Sequence, residues 1–317
     1  MPPPTVTILA PADGILVPNP VTFEYLASPG VAAVAFYADG FPMRERPFPP
    51  TDRYGYRFAG VNVLRQVELV GLDAGGREVA RDEVAVLPSE GYLVEPTGFN
   101  RFVIRAINDW SLYPKDGRYP YCWRDCPGSV GMIHDVAYLG ELRWHAGGHC
   151  VCTGHTLEVF LDAYRRWQAE TGAPDDLPFG GLTRDQIRGE FYQHWQGYGV
   201  ARTASSADAL ESAGIGYNLY PEQWNEALPG DFLNISRSSG TGHAVIFIRW
   251  VTDDEDRIVG VRYYGCNRRG DSHPDPDDPH NRRVSGPSFV TERFEGWGGS
   301  LLPDYVFLGR VLDPSDL

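Results

Sequence analysis

Positive charge is scarce in this sequence. The 28 Lys and Arg residues are outnumbered by 42 Asp and Glu, which gives a formal net charge of −14 at pH 7. No run of five or more residues is rich in lysine or arginine. Because phosphate backbones and anionic lipids attract basic patches, neither nucleic acid nor a membrane surface is an expected partner.

The sequence also has no long apolar run and no recognisable signal peptide. The longest apolar stretch, Ala244 to Val251, is interrupted by Arg249. It is much shorter than the roughly 20 residues that span a bilayer. The start, Met-Pro-Pro-Pro, lacks the basic region, apolar centre and cleavage site of a secretory signal. We therefore expect no membrane span, and no signal peptide is visible to explain any export.

Cysteine is infrequent, and its number is odd. The five cysteines are Cys122, Cys126, Cys150, Cys152 and Cys266. An odd number leaves at least one thiol unpaired unless chains are cross-linked. The sequence therefore indicates at least one free thiol, which is a candidate reactive group.

The length and the turn pattern predict two domains. At 317 residues the chain exceeds the usual size of one domain. Short apolar runs alternate with turn signals such as ADG and DAGG over residues 5–87, which is typical of an all-β sandwich. The stretch PSEGYLVEPTG at 88–98 breaks this pattern. We place the first domain at residues 1–88 and the second at 89–317.

The second domain is predicted to begin with helices and to continue with an antiparallel sheet. Apolar residues at helical spacing predict helices over 99–110, 153–172 and 201–214. Alternating or continuous apolar runs predict strands over 230–237, 243–251, 257–267 and 304–312. Residues 268–288 are rich in Asp, Pro, Arg and His and are predicted to form an irregular surface loop. This order of elements indicates an α+β domain.

Cys152 lies at the predicted start of the second helix. Unpaired backbone N–H groups and the helix dipole favour negative charge there and lower the pKa of a thiol. Thr153 and Gly154 follow, and small residues let a substrate carbonyl approach the sulfur while the Cys152 N–H binds an oxyanion. Cys152 is therefore predicted to be a nucleophile.

A thiol nucleophile needs a base, and His243 is the best-placed candidate because it heads the apolar run AVIFI. Asn267 ends the next predicted strand. By the two-residue alternation of a strand, Asn267 shares a face with Gly265, whereas Cys266 faces the other way. A polar group at Asn267 would hold the imidazole in its useful tautomer, and Asp271 is the alternative.

Four motifs in this order resemble the NlpC/P60 and CHAP-type cysteine peptidases and amidases. They are Cys152-Thr153-Gly154, the turn Pro229-Gly230-Asp231, the pair Gly242-His243, and Asn267. The resemblance covers about residues 140–270. It implies a papain-like (NlpC/P60-type) fold for the second domain, with Cys152, His243 and Asn267 as catalytic residues and with no metal and no other cofactor.

The sequence departs from that family just before the nucleophile. Val151 stands where the usual motif has Asp. The second donor to an oxyanion is not evident, and Tyr138 and His149 are the candidates.

The resemblance implies that the protein cleaves amide bonds in peptidoglycan, as an endopeptidase or amidase. The strands of the first domain resemble bacterial immunoglobulin-like domains, which implies a cell-envelope partner. An extracytoplasmic location follows, whether secreted, periplasmic or on the cell surface, or delivery to another cell. Two other functions stay open: acyl transfer or deamidation on a protein or lipid through the same thioester, and a non-enzymatic envelope-binding protein.

Other interpretations of the cysteines also stay open. Cys150 would be the nucleophile if the helix began earlier, and Cys152 would then be a buried core residue. The local cluster of His and Cys residues would hold zinc, although paired CxxC spacing is missing. Cys122 and Cys126 would form a disulfide or lie apart.

Overall fold

The computed structural model of the chain describes residues 3–18, 21–56, 58, 64–89, 96–109, 111–115, 117–123, 130–197, 202–268 and 285–317. The chain is a mixed α and β protein that divides into two compact units. The first unit comprises Met1–Tyr92 with Asn108–Leu112, and the second comprises Leu93–Ile107 with Tyr113–Leu317. The domain boundary expected after residue 88 lies at the end of the last strand of the first unit.

The first unit is built from strands. In its described part they are β1 (Val6–Ala10), β2 (Ile15–Pro18), β3 (Val21–Ala27), β4 (Ala33–Ala38), β5 (Phe41–Pro42), β6 (Arg53–Tyr56), β7 (Arg65–Leu72) and β8 (Glu78–Ser89). One sheet has the order β1-β3-β6, and the other has the order β2-β8-β7-β4-β5. All pairs are antiparallel except β2 with β8.

Strand alternation produces the core of the first unit. Along β3, Val21, Phe23 and Tyr25 are buried while their neighbours are less so. They share one apolar cluster with β4 and β7 of the other sheet, including Phe36 and Val67. The two sheets therefore pack face to face, as the alternating sequence pattern predicts.

The second unit combines helices with a larger sheet. Its described helices are α1 (Asn100–Asn108), α2 (Cys152–Thr171), α3 (Arg184–Arg188), α4 (Glu190–Trp195) and α5 (Ser206–Ser212), with 3-10 turns at Phe179–Gly181, Pro221–Glu226 and Pro314–Asp316. Its strands are β9 (Val136–Tyr138), β10 (Glu141–Trp144), β11 (Gly216–Leu219), β12 (Phe232–Arg237), β13 (Gly242–Thr252), β14 (Ile258–Asn267), β15 (Gly286–Arg293) and β16 (Leu301–Val311). No helix in the described ranges is long and apolar enough to cross a bilayer.

Six of these strands form one antiparallel sheet with the order β11-β16-β12-β13-β14-β15. The predicted antiparallel sheet is confirmed. The prediction of a loop through residue 288 is wrong at its end, because β15 begins at Gly286 and pairs along β14. Residues 269–284 of that predicted loop lie outside the described part of the chain.

Helix α2 follows the sequence closely. It begins directly after Val151, which has extended backbone, and ends at Gly172, whose φ of 72° is the left-handed conformation that glycine adopts readily. Leu157 and Phe160 are fully buried on its apolar face. The helix packs on β13 and β14, and its first residue, Cys152, contacts Ala244 near the start of β13.

The Pro229-Gly230-Asp231 turn fixes the start of β12. Gly230 has a φ of 96°, and a Cβ there would lie 2.9 Å from the Asn100 carbonyl oxygen. Asp231 is fully buried and accepts hydrogen bonds from Arg310 Nε at 2.9 Å and from Asn100 Nδ2 at 2.7 Å. The motif therefore ties α1 and β16 to the strand that precedes β13.

Candidate active site

A cavity of about 570 Å³ lies where α2 begins and β13 starts. Its described lining comes from residues 121 and 123, the first two residues of α2, residues 196, 202, 203 and 205, the end of β12 with the turn and first residues of β13, and residue 268 after β14. The described lining residues include Tyr121, Trp123, Cys152, Thr153, Gln196, Arg202, Ser205, Asn234, Arg237, His243, Ala244 and Arg268. The predicted nucleophile and base thus face one cavity.

Cys152 is the one free cysteine among the described residues, and it is 6% exposed. It packs against Val151 and Ala244. The backbone N–H groups of Ala244 and Thr153 lie near its sulfur and favour the thiolate. Because Ala244 follows His243 directly, the thiol lies beside the backbone that carries the imidazole.

The pKa of the Cys152 thiol is raised, mainly by burial. Hydrogen bonds from Ala244 and Thr153 and the charge of Arg237 oppose this increase without cancelling it. The expectation that the helix start would lower this pKa is therefore wrong. Desolvation outweighs the helix dipole at this site, so the resting thiol is protonated at neutral pH.

Gly154 has a packing role that the sequence did not reveal. A Cβ at this position would lie 2.1 Å from the Val130 carbonyl oxygen and 2.9 Å from the Gly131 carbonyl carbon. Gly131 in turn accepts a hydrogen bond from the Val151 N–H at 3.0 Å. Glycine is thus required because a neighbouring loop crosses the first turn of α2 closely.

His243 is 9% exposed, and its Nε2 lies 2.9 Å from Asn267 Oδ1. The Asn267 Nδ2 donates to the Gly265 carbonyl at 2.8 Å and to Ser288 Oγ at 3.0 Å, which fixes the orientation of the amide. Oδ1 must then accept a hydrogen bond, so Nε2 carries the proton. This tautomer leaves Nδ1 as the ring nitrogen that can accept a proton.

The pKa of His243 is lowered to about 4, first by burial and then by the positive charge of Arg237. The hydrogen bond to Asn267 acts in the opposite direction. The imidazole is therefore neutral at pH 7, which is the form that a general base requires.

A buried ion pair lies close to His243. Arg237 Nε donates to Glu292 Oε2 at 2.8 Å, and the Tyr263 hydroxyl donates to Glu292 Oε1. The Tyr263 ring meets the His243 ring edge-on, with centroids 5.8 Å apart. Burial disfavours ionisation of Glu292, but the bonds from Arg237 hold its pKa below the usual value. No sequence motif predicts this cluster, because Arg237 and Glu292 come together only through the register of the sheet.

Cys150 forms a disulfide with Cys266, with Cα atoms 6.0 Å apart. The alternative of Cys150 as nucleophile is therefore wrong, and Cys150 is not available as a zinc thiolate. Cys122 is also disulfide-bonded. Cys126 lies outside the described residues, as does Asp271, the alternative to Asn267 as the group that orients the imidazole.

Neither sequence candidate for the second oxyanion donor lines the cavity. The Tyr138 hydroxyl donates to the Leu182 carbonyl at 2.9 Å and is buried there. His149 Nδ1 lies 2.7 Å from the Gly147 carbonyl oxygen. Gln196, at the end of α4, does line the cavity and carries an amide donor.

Comparison with known proteins adds little to this geometry. No family model and no curated protein matches the chain. Among solved structures it is similar to the fibronectin(III)-like modules of Clostridium thermocellum CbhA, with 15% identity and a TM-score of 0.23, over 26% of this chain and 95% of that chain. A likeness of this size has no bearing on the chemistry of the cavity.

Proposed function

We propose that the chain is a papain-like cysteine hydrolase that cleaves amide bonds, with Cys152 as nucleophile and His243 as base. The hydrogen bond between His243 Nε2 and Asn267 Oδ1, in the cavity that also holds the free thiol, carries this proposal. It gives the imidazole one defined tautomer and leaves Nδ1 for the proton of the thiol.

The reaction follows from these protonation states. His243 Nδ1 takes the Cys152 proton as the sulfur attacks the amide carbonyl carbon. The tetrahedral intermediate then breaks its C–N bond, and the imidazolium returns the proton to the leaving amine. A water molecule, deprotonated by His243, attacks the thioester and releases the carboxylic acid with the regenerated thiol.

Burial sets the energetics of this pair. A thiol with a raised pKa and an imidazole with a lowered pKa rest as neutral groups, so charge develops only during attack. The Cys152 N–H lies in the first turn of α2, where a helix supplies no carbonyl acceptor, and we assign it as the first oxyanion donor. We assign Gln196 as the second donor, because it presents an amide to the same cavity.

Peptidoglycan peptides are the proposed substrate, on the resemblance of the Cys152, Gly242-His243 and Asn267 motifs to NlpC/P60 and CHAP-type enzymes. An immunoglobulin-like first unit would then serve as the envelope-binding module. The Cys150–Cys266 disulfide supports an extracytoplasmic location, because disulfides persist mainly in oxidising compartments.

The test is digestion of purified peptidoglycan, followed by assay of newly released amino groups. Cys152→Ala and His243→Ala should each lower the rate by about a thousandfold or more, because nucleophile and base act as one unit. His145→Ala is the matched control, since His145 is 81% exposed and not part of the cavity lining, and it should retain full activity. Unchanged hydrolysis by Cys152→Ala would refute the proposal.

A further inference from the structure

The charge of the cavity is opposite to that of the chain. Its described lining includes Arg202, Arg237 and Arg268 but no Asp or Glu. The chain as a whole carries a formal charge of −14. A cavity lined with one sign of charge concentrates ligands of the opposite sign. The lining therefore favours an anionic group near the reacting carbonyl.

The three arginines differ in whether a carboxylate of the protein pairs with them. Arg237 is largely buried and is paired with Glu292. Arg202 and Arg268 are exposed, and within the described ranges neither has a carboxylate partner. Two positive charges in the lining are therefore available to a ligand.

Arg202 is held in place by its surroundings. Its φ of 65° is unusual for a residue with a side chain, and Ser205 three positions later has a φ of 34°. The Arg202 N–H donates to Ser236 Oγ at 3.2 Å, and its guanidinium lies 5.0 Å from the Tyr305 ring centroid. These contacts stabilise a backbone that otherwise costs free energy, and they fix the arginine at the cavity.

Arg268 is placed by the strand before it. It directly follows Asn267, the residue that orients His243, at the end of β14. A carboxylate bound by Arg268 would therefore lie close to the proposed dyad.

We propose that Arg202 and Arg268 bind a free carboxylate of the acyl substrate beside the scissile amide, which deepens the proposed function and rests on it. A guanidinium presents two parallel N–H donors that match a carboxylate, and such charge-assisted bonds are stronger than neutral ones. A substrate in which that carboxylate is amidated loses these bonds. The enzyme should accordingly discriminate between acidic and amidated forms of the same peptide.

The experiment measures equilibrium binding to Cys152→Ala, which removes turnover, by calorimetry at low salt. The probes are soluble peptidoglycan fragments with free carboxylates and the same fragments after chemical amidation. The acidic fragments should bind about tenfold or more tightly, because the charge-assisted hydrogen bonds of the two guanidinium groups to the carboxylate are lost in the amide. Adding Arg202→Gln or Arg268→Gln should remove most of that preference, while Arg202→Lys retains part of it.

Arg188→Gln is the matched control, because Arg188 is exposed in α3 and is not part of the cavity lining. It should leave the preference intact. Equal binding of both fragment sets, no binding of either, or a preference that survives both arginine changes would overturn the inference. A carboxylate preference without hydrolysis by the wild type would support the arginine site and refute only the proposed reaction. Hydrolysis by the wild type without a carboxylate preference would support the proposed reaction and refute the arginine site.

Discussion

The two units differ most in what they bury. In the first unit the core is apolar, with Phe23, Val34 and Val67 fully buried. Among the described residues, every buried Asp, Glu, His, Asn, Gln, Ser and Thr belongs to the second unit. Burying such groups costs free energy unless each is hydrogen-bonded. An apolar core is thus enough to stabilise the sheets of the first unit. The second unit buries polar side chains in addition to its apolar core.

The buried polar groups of the second unit have two roles. Some hold the scaffold around the cavity, as Glu158 does when it accepts hydrogen bonds from the N–H groups of Ile133 at 2.7 Å and His134 at 3.1 Å. Others face the cavity itself, as His243 and Asn234 do. The polar burial therefore marks the unit in which chemistry is expected.

Acid should destabilise the second unit and leave the first unit unaffected, and this is the largest expected effect. The folded pKa of His243, about 4, is depressed from 6.5, so stability that is intact above pH 6.5 is lost as the pH falls towards 4. The loss should reach about 3 kcal/mol in the second unit alone. Glu158 and Glu292 have pKa values held below the usual 4.5, so their contribution is lost only at still lower pH.

Urea unfolding at pH 7 and pH 4.5, followed by hydrogen-exchange mass spectrometry, assigns the loss to a unit. His243→Asn should flatten the pH dependence of the second unit. If both units lose equal stability, or if His243→Asn leaves the slope unchanged, the difference in polar burial does not control acid stability.

Replacing the orienting amide should have the next largest effect. Asn267→Ala removes the acceptor of His243 Nε2 and should lower kcat/KM about tenfold to a hundredfold through kcat. Asn267→Asp keeps the acceptor and adds a negative charge, which raises the pKa of His243 and moves the acid limb of the pH–rate profile upward. Asn218→Ala, on β11, is the matched control. An unmoved acid limb in Asn267→Asp would argue against an orienting role.

The smallest expected effect on activity comes from the first unit. Val67→Ala opens space in its apolar core and should lower the stability of that unit by about 2 kcal/mol. Hydrolysis of soluble peptidoglycan fragments should not change, because all the described residues of the cavity belong to the second unit. Thermal unfolding and kcat/KM of the same variant check both statements, and a parallel loss of kcat/KM would show that the units act together.

Local patterns predicted the parts of the molecule that local forces determine. The apolar spacing and Gly172 gave helix α2 within a residue, and strand alternation correctly placed Asn267 and Cys266 on opposite faces of β14. The immunoglobulin-like and papain-like assignments remain predictions, as do the catalytic roles. Those expectations depend on family resemblance and not on periodicity.

Long-range features were not predictable in the same way. The Cys150–Cys266 disulfide joins residues 116 positions apart, and the Arg237–Glu292 pair depends on the register of four strands. The pKa of Cys152 was predicted with the wrong sign, because burial of the thiol by Ala244 and Val151 is a tertiary property. Sequence reasoning thus located the candidate residues but not their electrostatic environment.

The disulfide also links the site to its surroundings. It connects the chain two residues before Cys152 to the chain one residue before Asn267, so one covalent bond joins the segments that carry the nucleophile and the orienting amide. In a reducing compartment these segments would be held together only by non-covalent packing, and two further thiols would lie near Cys152. The redox state of the compartment therefore decides whether this covalent link forms, and a chain still inside a reducing cell would lack one of the constraints on the site.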